Sequence, residues 1–247
     1  MNLLNMVKFE FKLMCKTPVM ILSYFIYPVL LTLIIGYLSQ NSFGSEISSY
    51  EYYSIGMMIF IYMGAGLSSA YNFIDKPIKE GNLRIIFAPI KTMSIYLSQI
   101  ICGTIFCAIG IIFTMLVFKS LFRINYNGNE ITIFLSFVTL AFMSNSICIF
   151  LCTIIDDVGP INIIFNMIQS VFCILGGAFF SIESLGKIPA ILAKLSPVKW
   201  LMDGILNSMY DNNNLLIFII IAVNIVLGMI FIGFCKVTFR TEKYLQN

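Results

Sequence analysis

Long apolar runs alternate with short polar breaks along this chain. Stretches free of Asp, Glu, Lys and Arg occupy residues 17–45, 52–74, 92–118, 131–155, 158–182 and 212–235. Each is long enough to cross a hydrocarbon layer of roughly 30 Å, which takes about 20 helical residues. The pattern predicts an all-α membrane protein with six transmembrane helices at about 19–39, 53–74, 94–118, 131–155, 160–181 and 213–235, in a single domain over residues 1–247. Ahead of the first run, Leu4, Val7, Phe11 and Met14 keep one helical face apolar while Lys8, Lys12 and Lys16 form a row on another, which predicts an N-terminal interfacial helix. Pro18 then opens the first span, where its missing N–H would be unpaired anyway. That run has no small-residue cleavage site and matches the later spans in length, so a retained helix is expected, not a signal peptide.

The polar breaks have patterns of their own. Within residues 75–91, Leu83, Ile86, Phe87 and Ile90 recur at i, i+3, i+4 and i+7, predicting a helix over about 78–88 with one apolar face. Asp75 can cap it, Pro77 suits its first turn, Glu80 complements its positive end and Pro89 stops it. Lys79, Glu80 and Arg84 stay available for a soluble partner, although the same pattern fits a plain amphipathic connector. Residues 183–211 hold two apolar segments too short to span, Ile188 to Leu195 and Val198 to Tyr210, punctuated by Pro189 and Ser196-Pro197. They predict two short helices, re-entrant or at the outer surface, the second started by Ser196 as N-cap and Pro197 at its first position. Tyr50, Tyr52 and Tyr53 read as interfacial anchors. The link from Asp156-Asp157 to Pro160 is so short that the helices it joins are expected to be antiparallel neighbours.

Two spans carry polar stripes. In the fifth, Asn162, Asn166, Gln169, Cys173 and Gly176 fall on one face, and in the second Gly64, Ser68 and Asn72 do the same. Amides facing lipid are costly, so the first stripe is expected to face protein or water. It fits a pathway or dimer interface, and it equally fits interhelical hydrogen bonding.

Composition sharpens the class. The chain is 59% hydrophobic and 11% charged with mean hydropathy +0.93, where a soluble domain carries about 25% charged residues. With the N-terminus inside, the inner segments hold ten Lys and Arg residues and the outer ones hold five (Lys119, Arg123, Lys187, Lys194, Lys199), which favours both termini in the cytoplasm. The formal charge of +3 follows from this bias and gives no reason to invoke nucleic acid. Seven cysteines lie within spans or near their inner edges, and with no histidine a metal site is not expected. Span interiors lack the ionisable groups that a secondary carrier would use, and the chain lacks the His or Ser-His chemistry of an intramembrane enzyme. Asp156 and Asp157, being adjacent, point apart on a helix and read as solvated charges. A secondary carrier or channel, or a membrane anchor without transport, stays open as an alternative.

A family resemblance draws these patterns together. Glu80-Gly81-Asn82-Leu83 followed by Ala88-Pro89-Ile90 resembles the E-x-G-T-L and S-P-x segment of the membrane subunits of type 2 ABC exporters, with Asn82 in place of Thr and Ala88 in place of Ser. Gly176-Gly177-Ala178-Phe179-Phe180, Glu183-Ser184, Ile188-Pro189 and Leu195-Ser196-Pro197 through Trp200 and Asp203 resemble the same family's end of span five and its extracellular helical hairpin. The resemblance implies a permease subunit of the bacterial cytoplasmic membrane that pairs with a second, same or related, permease subunit within membrane lipid. It implies that Lys79, Glu80, Gly81, Leu83, Arg84, Phe87 and Pro89 form a cytoplasmic coupling helix seated on an ABC ATPase. The chain contains no G-x-x-x-x-G-K-[ST] sequence, so ATP and Mg are expected on that separate subunit and no catalytic residue on this one. Export of a drug, lipid or antimicrobial peptide would follow, with no cofactor bound by this chain.

Overall fold

The fold was described from a computed structural model, which describes residues 3–40, 48–74, 93–155, 157–180 and 186–238. Helix α1 (Leu3–Lys16) precedes the spans. Six helices are long and apolar enough to cross a membrane: α2 (Pro18–Leu38), α3 (Ser49–Ile74), α4 (Met93–Leu121), α5 (Glu130–Ile154), α6 (Val158–Leu175) and α9 (Leu215–Thr238). Between the last two lie the short helices α7 (Lys187–Ala193) and α8 (Pro197–Tyr210), the hairpin expected there. No strand occurs among the described residues.

Local chemistry sets the boundaries that hydropathy blurs. Helix α3 begins at Ser49 because Ser48 and Glu51 form a capping box: the Ser48 hydroxyl accepts from Glu51 N at 3.2 Å and the Glu51 carboxylate accepts from Ser48 N at 3.0 Å. Helix α6 stops at Leu175, not near 181, because Gly176 caps it and Gly177 turns the chain through φ +79°, a region that glycine enters without strain. Asp157 starts α6 by accepting from Gly159 N at 3.0 Å.

Helices α3, α4 and α5 form the centre, while α2, α6 and α9 lie outside them. Despite the short link between α5 and α6, α5 packs most extensively along α9, and α6 leans on α3 and α8. Helix α1 lies against α4, which turns the expected face. Its buried line is Met6, Glu10 and Met14, with Leu4 exposed: Glu10 lies beside Gln99 of α4, and Met14 Sδ lies 3.7 Å from Cys102 Sγ of the same helix. The three tyrosines expected as interfacial anchors serve the protein interior instead. Tyr53 is buried, Tyr50 stacks on Phe122 with centroids 4.9 Å apart, and Tyr52 Oη donates to Gly177 O at 2.5 Å.

Candidate functional site

One central and one outer helix are broken, and the breaks are joined to each other. In α2 a π-helical turn spans Leu22–Ile26, just before Pro28. A proline has no N–H to give and its ring crowds the carbonyl four residues back, so the Tyr24 carbonyl loses its ordinary partner. Tyr62 Oη of α3 supplies one at 3.0 Å, and the same hydroxyl lies 3.3 Å from Thr114 Oγ1 of α4. Tyr24 Oη in turn donates to Ala65 O at 3.3 Å, on the far side of the second break.

That second break falls at Gly64, where the α3 helix ends at Met63 and restarts at Ala65. Backbone groups released in a bilayer need internal partners, since each orphan costs several kcal/mol. Ser144 of α5 satisfies two of them: its hydroxyl donates to Met63 O at 2.5 Å and accepts from Gly66 N at 2.9 Å. Gln169 of α6 donates from Nε2 to Phe60 O at 2.7 Å. Below the break, Ser69 donates to Asn145 Oδ1 at 2.6 Å, while Asn145 Nδ2 holds Ala141 O at 2.8 Å. Close approach makes this possible, because a side chain on Gly66 would run into the Ser144 carbonyl and one on Gly103 into Ser69 and Asn145. Side chains from α2, α3, α4, α5 and α6 thus meet around one buried set of hydrogen bonds.

The two predicted stripes divide between this centre and the outer surface. Gly64 and Gln169 meet: a methyl on Gly64 would sit 3.0 Å from the Gln169 amide. Ser68 bonds to Ala65 O of its own helix at 2.8 Å, and Asn72 is buried with Nδ2 3.8 Å from Met20 Sδ of α2. On α6, Gln169, Cys173 and Gly176 are buried, whereas Asn162 is half-buried and Asn166 exposed. The pair close on each other, with Asn166 Nδ2 donating to Asn162 Oδ1 at 2.5 Å. The stripe is therefore packing at one end and open surface at the other.

The hairpin is tied down at several points. Ser196 caps α8, accepting from Val198 N at 3.3 Å and donating to Phe172 O of α6 at 2.7 Å. Pro197 occupies the first turn of α8 and Pro189 lies within α7. Trp200 Nε1 donates to Lys194 O at 2.9 Å, and Lys199 pairs with Asp203 at 2.8 Å. Tyr210 Oη donates to Glu51 at 2.8 Å, linking α8 to the cap of α3. An asparagine cluster completes the fastening: Asn129 Nδ2 reaches Ser208 O at 2.7 Å, and Asn214 Nδ2 reaches Asn129 Oδ1 at 2.9 Å. The residues expected to form a coupling helix, Lys79, Glu80, Gly81, Leu83, Arg84, Phe87 and Pro89, lie outside the described residues.

The ABC-2 type transporter family matches residues 1–210, from the start of the chain through α8. The chain belongs to that family. No curated protein matches it. Membership of this family implies an ABC ATPase as the general kind of partner. Its six spans make it a multi-pass membrane protein. Among the described residues, no group of three or more His, Cys, Asp or Glu side chains is placed to hold a metal.

One acidic group in this ABC-2 chain was not singled out by its sequence pattern. Glu10 is 5% exposed on the α1 face against α4, with the buried Gln99 beside it. Burial raises its carboxyl above the ordinary value of 4.5, and Gln99 offsets this in part. Among the described residues, neither Glu10 Oε2 nor the Gln99 amide closes a hydrogen bond of good geometry. A charge on the lysine-rich helix α1 reads as solvated until its face is known. Ser144-Asn145 was similarly hidden, although two adjacent polar residues deep in an apolar run were the available signal.

Proposed function

We propose that the chain is the permease half of an ATP-driven exporter, paired with a second permease subunit across the Asn162–Asn166 face of α6. The exposed amide pair carries this reading. An amide held against lipid gives up hydrogen bonds that it would make with water or protein, so an exposed one in a span favours a partner or a wet pathway. The surrounding residues are neutral and apolar, with Ile163, Met167 and Val171 exposed along the same helix. Such a surface suits an amphipathic or hydrophobic cargo, among which drugs, lipids and antimicrobial peptides fit equally.

In this reading both termini are cytoplasmic, and the segment over 78–88 docks on the ATPase. Closure of two ATPase subunits then displaces the coupling helices, and α1 with them. The breaks in α2 and α3 are suited to receive that displacement, because a helix interrupted at Gly64 can change angle there without losing a continuous hydrogen-bond ladder.

Co-expression with an ABC ATPase and a second permease subunit, the same or a related chain, tests the proposal. Glu80→Lys and Leu83→Asp are expected to abolish stimulation of ATPase activity by assembly, while the chain still inserts in the membrane. Full stimulation in both variants would remove the coupling role from this segment.

A further inference from the structure

Where α4 and α5 emerge on the hairpin side, an apolar groove of about 250 Å³ opens toward the bilayer. Ile112, Leu116 and Phe134 line its length, and Lys119, Glu130 and Tyr126 close its end. Lys119 lies seven residues beyond Ile112 on one helix, about 10 Å at 1.5 Å per residue, so the groove runs from the helix ends well into the hydrocarbon layer. At the closed end Lys119 Nζ sits 2.9 Å from Glu130 Oε1, with the lysine side chain exposed and the glutamate half-buried. The third group is different. Tyr126, which lines the groove, is 3% exposed, and its buried hydroxyl has no hydrogen-bond partner among the described residues. Burial pushes that phenol above its ordinary value, so it remains a proton donor at any physiological pH.

We propose that this groove binds a zwitterionic phospholipid of the hairpin-side leaflet, one acyl chain along α4 and its headgroup on Lys119, Glu130 and Tyr126. Charge complementarity selects the ligand. A cation and an anion side by side match a headgroup that carries both signs, with the phosphate toward Lys119 and the ammonium toward Glu130. The phosphate oxygens also give the Tyr126 hydroxyl the acceptor that the fold withholds. An anionic lipid would leave Glu130 facing like charge, and a lipid without a phosphate would leave Tyr126 unpaired.

Native mass spectrometry of the purified full-length chain tests this with equimolar phosphatidylethanolamine, phosphatidylglycerol and diacylglycerol of identical acyl chains. Phosphatidylethanolamine is expected to be retained about fivefold over either competitor. Lys119→Gln and Tyr126→Phe are each expected to reduce that preference to near parity. Tyr126→Phe is the decisive variant, because the hydroxyl it removes makes no bond in the fold and its lipid-free melting temperature should be unchanged. Equal retention of all three lipids, a preference for phosphatidylglycerol, or wild-type preference in Tyr126→Phe would each overturn the proposal. None of these readings depends on ATP or on transport.

Discussion

Helices α3 and α6 treat their polar residues in opposite ways. In the span formed by α3 most residues are buried, and the backbone groups around its Gly64 break are met by side chains from α2, α5 and α6. In α6 few residues are buried, and among the described residues its Asn162–Asn166 pair bonds only to itself while facing outward. Inside a bilayer, apolar burial drives association weakly, since lipid is as apolar as leucine. Stability then comes from close packing and paired polar groups, which α3 has and α6 partly lacks. The contrast separates a scaffold that is complete in one chain from a surface that needs something further.

The comparison is broken most severely by filling the close approach. Gly66→Leu places a side chain against the Ser144 carbonyl and Cys148, and is expected to cost about 3 kcal/mol or more or to prevent accumulation of folded protein. Fluorescence-detected size exclusion with a thermal ramp measures this. Ser144→Ala is next, leaving Met63 O and Gly66 N without partners at a cost of about 1–3 kcal/mol in the same thermal assay.

A smaller effect is expected at the other end of the scaffold. Because the folded Glu10 carboxyl is raised above 4.5, its contribution to docking α1 is full below that value and is lost as pH rises through the folded one. Amide exchange over Leu3–Lys16 should therefore quicken on going from acid to neutral pH after correction for intrinsic rates, and Glu10→Gln should remove that added dependence. The smallest change in stability sharpens the contrast: Asn166→Leu is expected to change the stability of the isolated chain by no more than about 0.5 kcal/mol in the thermal assay, while lowering transport or assembly with the second permease.

The six spans were legible because charge-free runs of sufficient length have few alternatives, and the hairpin because Ser196-Pro197 is a strong helix start. The breaks were not. Gly64 reads as a small residue for close packing, and Pro28 lies in an unbroken apolar run, so neither announces where a helix loses its ladder. Periodicity placed Asn162, Asn166 and Gln169 on one face of α6, and they do share it. It could not say that neighbouring helices cover only half of that face. The α1 face was misplaced for a related reason: Glu10 counts as polar in any hydropathy pattern, yet it is buried beside Gln99 where α4 can receive it.

The claim that the outward amides of α6 face a second permease chain is tested most directly by photo-crosslinking in intact membranes. A photo-reactive amino acid replaces Asn166 in one sample and Phe218, exposed on α9, in another, with the ATPase and neighbouring permease co-expressed. The account predicts a covalent adduct with a permease chain from position 166 and lipid adducts alone from position 218. Lipid adducts alone from position 166 would contradict it.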